Sequence, residues 1–156
     1  MMGLDEFRRY CSENQSYSPA ERSFSESLRL MIDKVHTNPS LIGIRGRPDA
    51  YRGVSLREGE RTIGIVDVVL FDGRGETYLV ECNTNPKGRR RGKSERLDDC
   101  YALIMERFNV SPQLLFVWSP NGKRIYISQQ RPKIEGVLRR LAPSNAKNID
   151  TTELNT

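Results

Sequence analysis

Apolar residues first recur at helical spacing. Five apolar residues between Ser18 and His36 would lie on one face of a helix, so a helix with one buried face is predicted over Ser18–His36. These residues are Phe24, Leu28, Met31, Ile32 and Val35. Ser18 followed by Glu21 has the spacing of a capping box, and Pro19 suits the first helical position. A shorter preceding helix is predicted over Leu4–Ser12.

The pattern then changes to that of strands. Thr62–Phe71 is β-branched and apolar, Asp72–Gly75 has turn chemistry, and Thr77–Asn83 is the return strand. These features predict an antiparallel hairpin. Both strands are hydrophobic almost throughout, so we expect a sheet that is covered on both faces.

The remaining segments complete an α/β pattern. Residues 38–59 are rich in Gly, Pro and Arg, which predicts a loop that contains one short strand, LIGIRG at residues 41–46. The later predicted elements are, in order, the helix Ser94–Asn109, the strand Gln113–Trp118, the edge strand Lys123–Ser128 and the helix Pro132–Leu141. The order α-β-β-β-α-β predicts a mixed β-sheet flanked by helices. We expect one domain over residues 1–142 and a polar tail over residues 143–156.

Composition narrows the class of protein. Hydrophobic residues make up 37% of the 156 and charged residues 29%, as in soluble globular proteins. No apolar run is long enough for a membrane span, and the first residues lack a secretory pattern. A cytoplasmic location, in a nucleoid or a host cell, is therefore expected, with no membrane partner. Three cysteines and one histidine argue against a disulfide framework and a histidine-rich metal site.

Two acidic residues stand where apolar strands predict burial. Asp67 interrupts GIVDVVLF, and Glu81 ends the partner strand of the hairpin. Alternation places Glu81 and Asn83 on one face and Cys82 on the other. An antiparallel hairpin brings the two carboxylates together, and a hard cation such as Mg²⁺ or Mn²⁺ would offset their repulsion. The alternative is structural: Asp67 bonds main-chain amides or an arginine, and Glu81 forms a strand-end ion pair.

The stretch GIVDVVLFDGRGETYLVECN resembles the core of the PD-(D/E)XK, or restriction-endonuclease-like, nuclease superfamily. Asp67 matches the first Asp of that motif and Glu81 matches its (D/E). The predicted element order is also similar to the superfamily core, and the resemblance covers roughly residues 18–128. Size and basic character are most similar to small members of the Holliday-junction-resolvase type.

The resemblance implies a metal site and a fold. Asp67 and Glu81 would hold Mg²⁺ or Mn²⁺, with the Cys82 carbonyl as a further ligand. Asn83 occupies the position of the motif lysine and would order the nucleophilic water. A glutamate of the first helix completes the site in resolvases, and two positions compete for this role: Glu21 falls on the buried stripe, whereas Glu26 lies on the opposite face and is the weaker candidate. The role of Glu21 in the capping box is the competing interpretation.

A relocated cation is expected to replace the missing lysine. Lys93, at the start of the helix that follows the hairpin, is the first candidate, and Lys87 is the alternative. Arginine and lysine grip phosphate oxygens, so a basic surface beside the metal site is expected to bind the nucleic-acid backbone. This surface comprises Lys87, Arg89, Arg90, Arg91 and Lys93, extended by Arg45, Arg47, Arg52 and Arg57.

These observations predict a metal-dependent DNA endonuclease that works as a homodimer. The net charge of +5 agrees with a polyanionic partner. Linear, branched and structured DNA all remain open as substrates. The alternative is a catalytically inactive nucleic-acid-binding protein that retains the nuclease fold. A third possibility is a protein–protein adaptor whose basic loop meets an acidic partner.

Overall fold

The structure, a computed structural model, describes residues 2–15, 26–83, 93–119 and 124–132. The side chains of residue 2 and of residues 93–96 are not described. The helices are α1 (Met2–Glu13), α2 (Glu26–Thr37) and α3 (Lys93–Phe108). The strands are β1 (Asp49–Glu58), β2 (Arg61–Phe71), β3 (Thr77–Asn83), β4 (Gln113–Trp118) and β5 (Tyr126–Gln130).

The five strands form one mixed sheet in the order β1-β2-β3-β4-β5. Each neighbouring pair is antiparallel except β3 and β4, which run parallel. The parallel pair is joined through α3, because a parallel connection must cross over the sheet. The predicted α/β class, with a mixed sheet flanked by helices and the order α-β-β-β-α-β, is confirmed.

Each face of the sheet carries its own core. On the first face, α1 and α3 cover residues such as Val69, Phe71, Leu79 and Phe116. On the second face, α2 covers a set that comprises Val68, Leu70, Val80, Cys82, Leu115 and Val117, with Met31, Ile32 and Val35 of the helix. The expectation of a sheet that is buried on both faces is therefore confirmed, and it explains the continuous apolar runs of β2 and β3.

The segment before the hairpin differs from its prediction. LIGIRG does not form a strand: Pro39–Ile42 is a short 3-10 helix that ends at Gly43, which adopts a left-handed conformation (φ 83°). The strand that precedes the hairpin is instead β1, which pairs with β2 along most of its length. The prediction was wrong because Gly and Arg residues masked the alternation of Val54 and Leu56, both of which are buried.

Helix α1 is fastened to β1 by a tyrosine. The Tyr10 hydroxyl donates to the Ser55 carbonyl oxygen (2.8 Å) and accepts from the Arg57 amide (3.0 Å). These bonds flank the register shift between Leu56 and Arg57. Because the bulge leaves ladder groups without regular partners, the tyrosine stabilises this irregular end of the strand.

The other boundaries agree with the sequence to within a few residues. The predicted helix Leu4–Ser12 is α1, and α2 corresponds to the second half of Ser18–His36. Strand β5 begins three residues later than predicted. Apart from Pro132, the predicted helix Pro132–Leu141 lies outside the described residues, as does the tail over residues 143–156. Within the described part, no helix has the length and apolar character that a membrane span requires.

Candidate metal centre

Strands β2 and β3 separate before either of them ends. Their ladder runs from the turn as far as Val68 opposite Val80. Beyond that pair, β2 remains bonded to β1, with Val66 opposite Val54, and β3 remains bonded to β4, with Glu81 opposite Phe116. The sheet therefore opens between two strands that both have a partner on their outer side.

Asp67 lies at this opening. It is the first residue of β2 past the last pair with β3, and it is only 4% exposed. Its Oδ2 accepts a hydrogen bond from the Cys82 amide at 2.9 Å. A strand amide points along the sheet toward the neighbouring strand, so the carboxylate lies in the gap and takes the place of a main-chain acceptor. The alternative prediction, that Asp67 bonds a main-chain amide, is thus confirmed for this one bond.

Glu81 is opposite Asp67 when the register is extended by one residue. It is 6% exposed and belongs to β3 and its pairing with β4. The Asp67 carboxylate contacts the peptide group that joins Glu81 to Cys82. The Asp67 carboxylate therefore lies beside the main chain of Glu81 and Cys82. Among the described residues, three acidic side chains are buried: Asp67, Glu81 and Asp98 of α3.

The faces of β3 agree with the predicted alternation. Leu79 belongs to the first core, whereas Val80 and Cys82 belong to the second. Glu81 and the half-buried Asn83 therefore share the face that α1 and α3 cover. The Cys82 side chain points to the face that α2 covers, and only its main chain takes part in the opening.

The Cys82 carbonyl is directed into the same gap. The amide and the carbonyl of one strand residue point to the same neighbouring strand, and the Cys82 amide reaches Asp67. Two carboxylates and this carbonyl are hard oxygen donors, the class that Mg²⁺ and Mn²⁺ prefer, with water completing the coordination. The donor types fit the expected ion.

A glycine of β1 lies beside Asp67 on the neighbouring strand. The register of β1 and β2 sets Gly53 opposite Asp67, and Gly53 has a positive φ of 63°. Val66 and Val69 both pack in the first core, although strict alternation would put them on opposite faces. The alternation is therefore reset at Asp67. Only glycine takes up such a conformation at little cost, so Gly53 allows this local change of facing.

The glutamate that is predicted as a third ligand lies outside the described residues. No group of three His, Cys, Asp or Glu side chains in the described ranges is placed to hold a metal ion. Glu21, which the resemblance implies as the third carboxylate, falls within residues 16–25, outside the described part. Glu26, the weaker candidate, is exposed at the start of α2.

Most of the predicted basic surface also falls outside the described residues. Lys87, Arg89, Arg90 and Arg91 lie in the segment 84–92, which the structure does not describe. Lys93 is the first residue of α3, so its main chain follows the strand that carries Glu81, as predicted; its side chain is not described. Whether this lysine replaces the motif lysine stays a prediction.

The remaining arginines differ in their settings. Arg45 and Arg47 are exposed in the irregular segment after Gly43. Arg52 and Arg57 were predicted in a loop, but both lie in β1. Arg52 forms an ion pair with Asp33 of α2.

The three thiols are free and buried. Burial raises the pKa of the Cys11 thiol well above its ordinary value, so this side chain stays protonated and unreactive at neutral pH. Cys11 and Cys100 belong to the first core and Cys82 to the second.

An aromatic pair lies near the opening, at positions for which the sequence favours packing in the sheet, with stacking of an exposed Tyr126 on a base as the alternative. Trp118 of β4 is the register partner of both Asn83 on β3 and Tyr126 on β5. The Trp118 and Tyr126 rings are stacked, with centroids 5.6 Å apart and planes 14° apart. The sequence signal for this pair is an aromatic residue that ends β4, Trp118, and one that begins β5, Tyr126. This signal becomes informative only when the register of the two strands is known.

Comparisons with known proteins leave the family open. No family model matches the chain, and no curated protein matches it. A crystal structure of a protein called SSO0001 aligns over 94% of this chain and 69% of its own, with 16% sequence identity and a TM-score of 0.38.

Proposed function

We propose that this protein is a metal-dependent DNA endonuclease whose reaction centre is the opening between β2 and β3. One observation carries the proposal: the ladder between the strands ends at Val68 and Val80, and the next residue of each strand beyond that pair is a buried acid, Asp67 on β2 and Glu81 on β3. Two carboxylates that are held near each other favour a cation between them. The resemblance of this hairpin to the PD-(D/E)XK core supports the same assignment.

Asp67, Glu81 and the Cys82 carbonyl would hold Mg²⁺ or Mn²⁺. Bound there, such an ion supplies charge stabilisation at a phosphodiester and a more acidic water. The protein contributes position and rigidity. The hydrogen bond from the Cys82 amide fixes one oxygen of Asp67, and pairing with β4 holds the Glu81 main chain in place.

Asn83 stands two residues after Glu81 on the same face of β3. Its amide can donate to and accept from a water molecule, so it can orient the nucleophile. It supplies no positive charge, and the developing charge on phosphate therefore requires a cation from elsewhere. We assign that role to Lys93, because α3 begins there.

The test is cleavage of labelled linear and branched DNA with Mg²⁺ or Mn²⁺ present. Asp67→Asn and Glu81→Gln remove one charge each and preserve shape and an acceptor. We expect each to lower the cleavage rate by at least about a hundredfold, because both ligate the ion. Asp72→Asn, on the turn that follows β2, is the matched control and should cleave like the wild type. Cleavage that survives both site substitutions would overturn the proposal.

A second function is favoured by Asn83 itself. A protein without the lysine at this position and without a replacement would bind DNA and leave it intact. Salt-dependent binding of all DNA forms, with no cleavage under Mg²⁺ or Mn²⁺, would identify that protein. The two functions are therefore separated by the same assay.

A further inference from the structure

Asn83, Trp118 and Tyr126 form one row across the sheet. They occupy successive register positions on β3, β4 and β5, so their side chains share a face. This is also the face of Glu81, which lies two residues before Asn83 on the same strand. Tyr126 thus lies two interstrand spacings, or about 10 Å, from Asn83, and Trp118 lies between them.

The outer end of the row is accessible. Tyr126 is 39% exposed, and Trp118 is half-buried. In the described part of the chain, β5 is the last strand of the sheet, and no further strand pairs beyond Tyr126. The two rings are nearly parallel. A third flat ring can extend such a stack at the tyrosine.

Charge around the pair suits a nucleic-acid strand. Arg124 precedes Tyr126 by two residues and is exposed. Cations beside an aromatic platform are the combination that binds single-stranded nucleic acid, because the cations meet the phosphates and the rings meet the bases.

We propose that Tyr126, stacked on Trp118, binds an unpaired nucleobase beside the reaction centre. Paired bases in a duplex keep their faces covered by their neighbours, so this platform favours DNA with a single-stranded or flipped-out base. The inference rests on the proposed function for its substrate class. It adds the prediction that the enzyme selects DNA with unpaired bases.

The test measures binding in EDTA, so that cleavage does not enter. Three ligands are compared: a short oligothymidylate, the same strand with abasic sites, and a duplex of equal length. We expect Tyr126→Ala to weaken binding of the oligothymidylate by at least about fivefold, the loss of one base stack. Binding of the abasic strand and of the duplex should stay within about twofold, because these ligands offer no open base.

Two variants and one spectroscopic signal complete the design. Tyr126→Phe keeps the ring and should bind like the wild type. Ile127→Ala is the matched control, since Ile127 is 42% exposed and neighbours Tyr126 but points to the opposite face. Trp118 is the single tryptophan of the chain, so oligothymidylate should quench its emission and the abasic strand should not.

Equal losses for all three ligands, or an equal loss in Ile127→Ala, would overturn the inference. So would a change of sedimentation in Tyr126→Ala without a change in base selectivity, because β5 would then be a contact between copies. Metal-dependent cleavage together with unaltered selectivity in Tyr126→Ala overturns this inference alone. No affinity for any of the three ligands overturns it together with the proposed function.

Discussion

Two aspartates mark the two ends of the paired part of the β2–β3 hairpin. At the turn, Asp72 Oδ1 accepts from the amides of Arg74 (2.8 Å) and Glu76 (2.9 Å). Its Oδ2 accepts from the Tyr78 hydroxyl at 3.2 Å. At the other end, Asp67 Oδ2 accepts from the Cys82 amide, and Glu81 lies opposite. Asp72 thus stabilises the turn that joins the strands, whereas Asp67 lies at the point where the ladder between them ends.

The difference lies in the surroundings of the carboxylates. Asp72 is half-exposed beside a turn, so water and local donors solvate its charge. Asp67 and Glu81 are both buried, and two carboxylates near each other repel unless a cation offsets them. A fold that needed only an acceptor for the Cys82 amide would be served by a neutral side chain. The second acid is what points to a cation.

The largest effect on stability is expected where the amide loses its acceptor. Asp67→Ala removes both the charge and the acceptor, whereas Asp67→Asn removes only the charge. We expect the alanine variant to be less stable than the asparagine variant by about 1–3 kcal/mol, the cost of a buried amide left without this partner. Urea unfolding in EDTA measures the difference. Equal free energies of unfolding would show that the bond to Cys82 contributes nothing.

Placing a lysine at position 83 gives the next effect. Asn83→Lys places a cation beside the proposed reaction centre, and we expect cleavage to rise about tenfold through better charge stabilisation. Asn83→Gln keeps a neutral amide and serves as the control, with no gain expected. Initial rates on one DNA substrate decide the matter. Equal rates in the two variants would mean that position 83 does not approach the reacting phosphate.

Removing the Tyr78 hydroxyl should give the smallest effect, at the closed end. Tyr78→Phe loses the bond to Asp72 and should cost about 0.5–1 kcal/mol, with cleavage unchanged. Burial, and then the charge of Asp72, raise the pKa of Tyr78. The folded state therefore holds this proton more tightly than the unfolded chain does.

The pH dependence of that variant has a definite sign. The contribution of Tyr78 to stability is complete below its ordinary pKa of about 10 and declines as pH rises through the higher folded value. The difference between wild type and Tyr78→Phe should therefore shrink in alkaline solution. A difference that grows with pH would contradict the assigned bond. Urea unfolding over a pH series measures it.

The sequence predicted the interior of the sheet better than its surroundings. Asp67 and Glu81 stood out because acids within apolar strands conflict with burial, and their placement in the hairpin follows from a short turn. The opening itself was not predictable, since it depends on β1 and β4 holding their neighbours apart. Strand β1 was missed because Gly53 and the arginines resemble a loop composition, although its alternation of Val54 and Leu56 was present.

The row that ends at Tyr126 was also beyond the sequence. Its members come from three strands, and only the register of β3, β4 and β5 aligns them. Register depends on pairing across the crossover helix, which local patterns do not specify. Long-range juxtaposition of this kind needs the fold.

Binding of Mn²⁺ in solution tests the proposed centre most directly. Calorimetric titration would compare the wild type with Asp67→Asn, Glu81→Gln and, as the control at the closed end, Asp72→Asn. We expect the wild type and Asp72→Asn to bind alike, and each site variant to bind at least about tenfold more weakly through the loss of one charged ligand. Wild-type affinity in Asp67→Asn, or equal weakening in Asp72→Asn, would contradict a metal centre at the opening between β2 and β3.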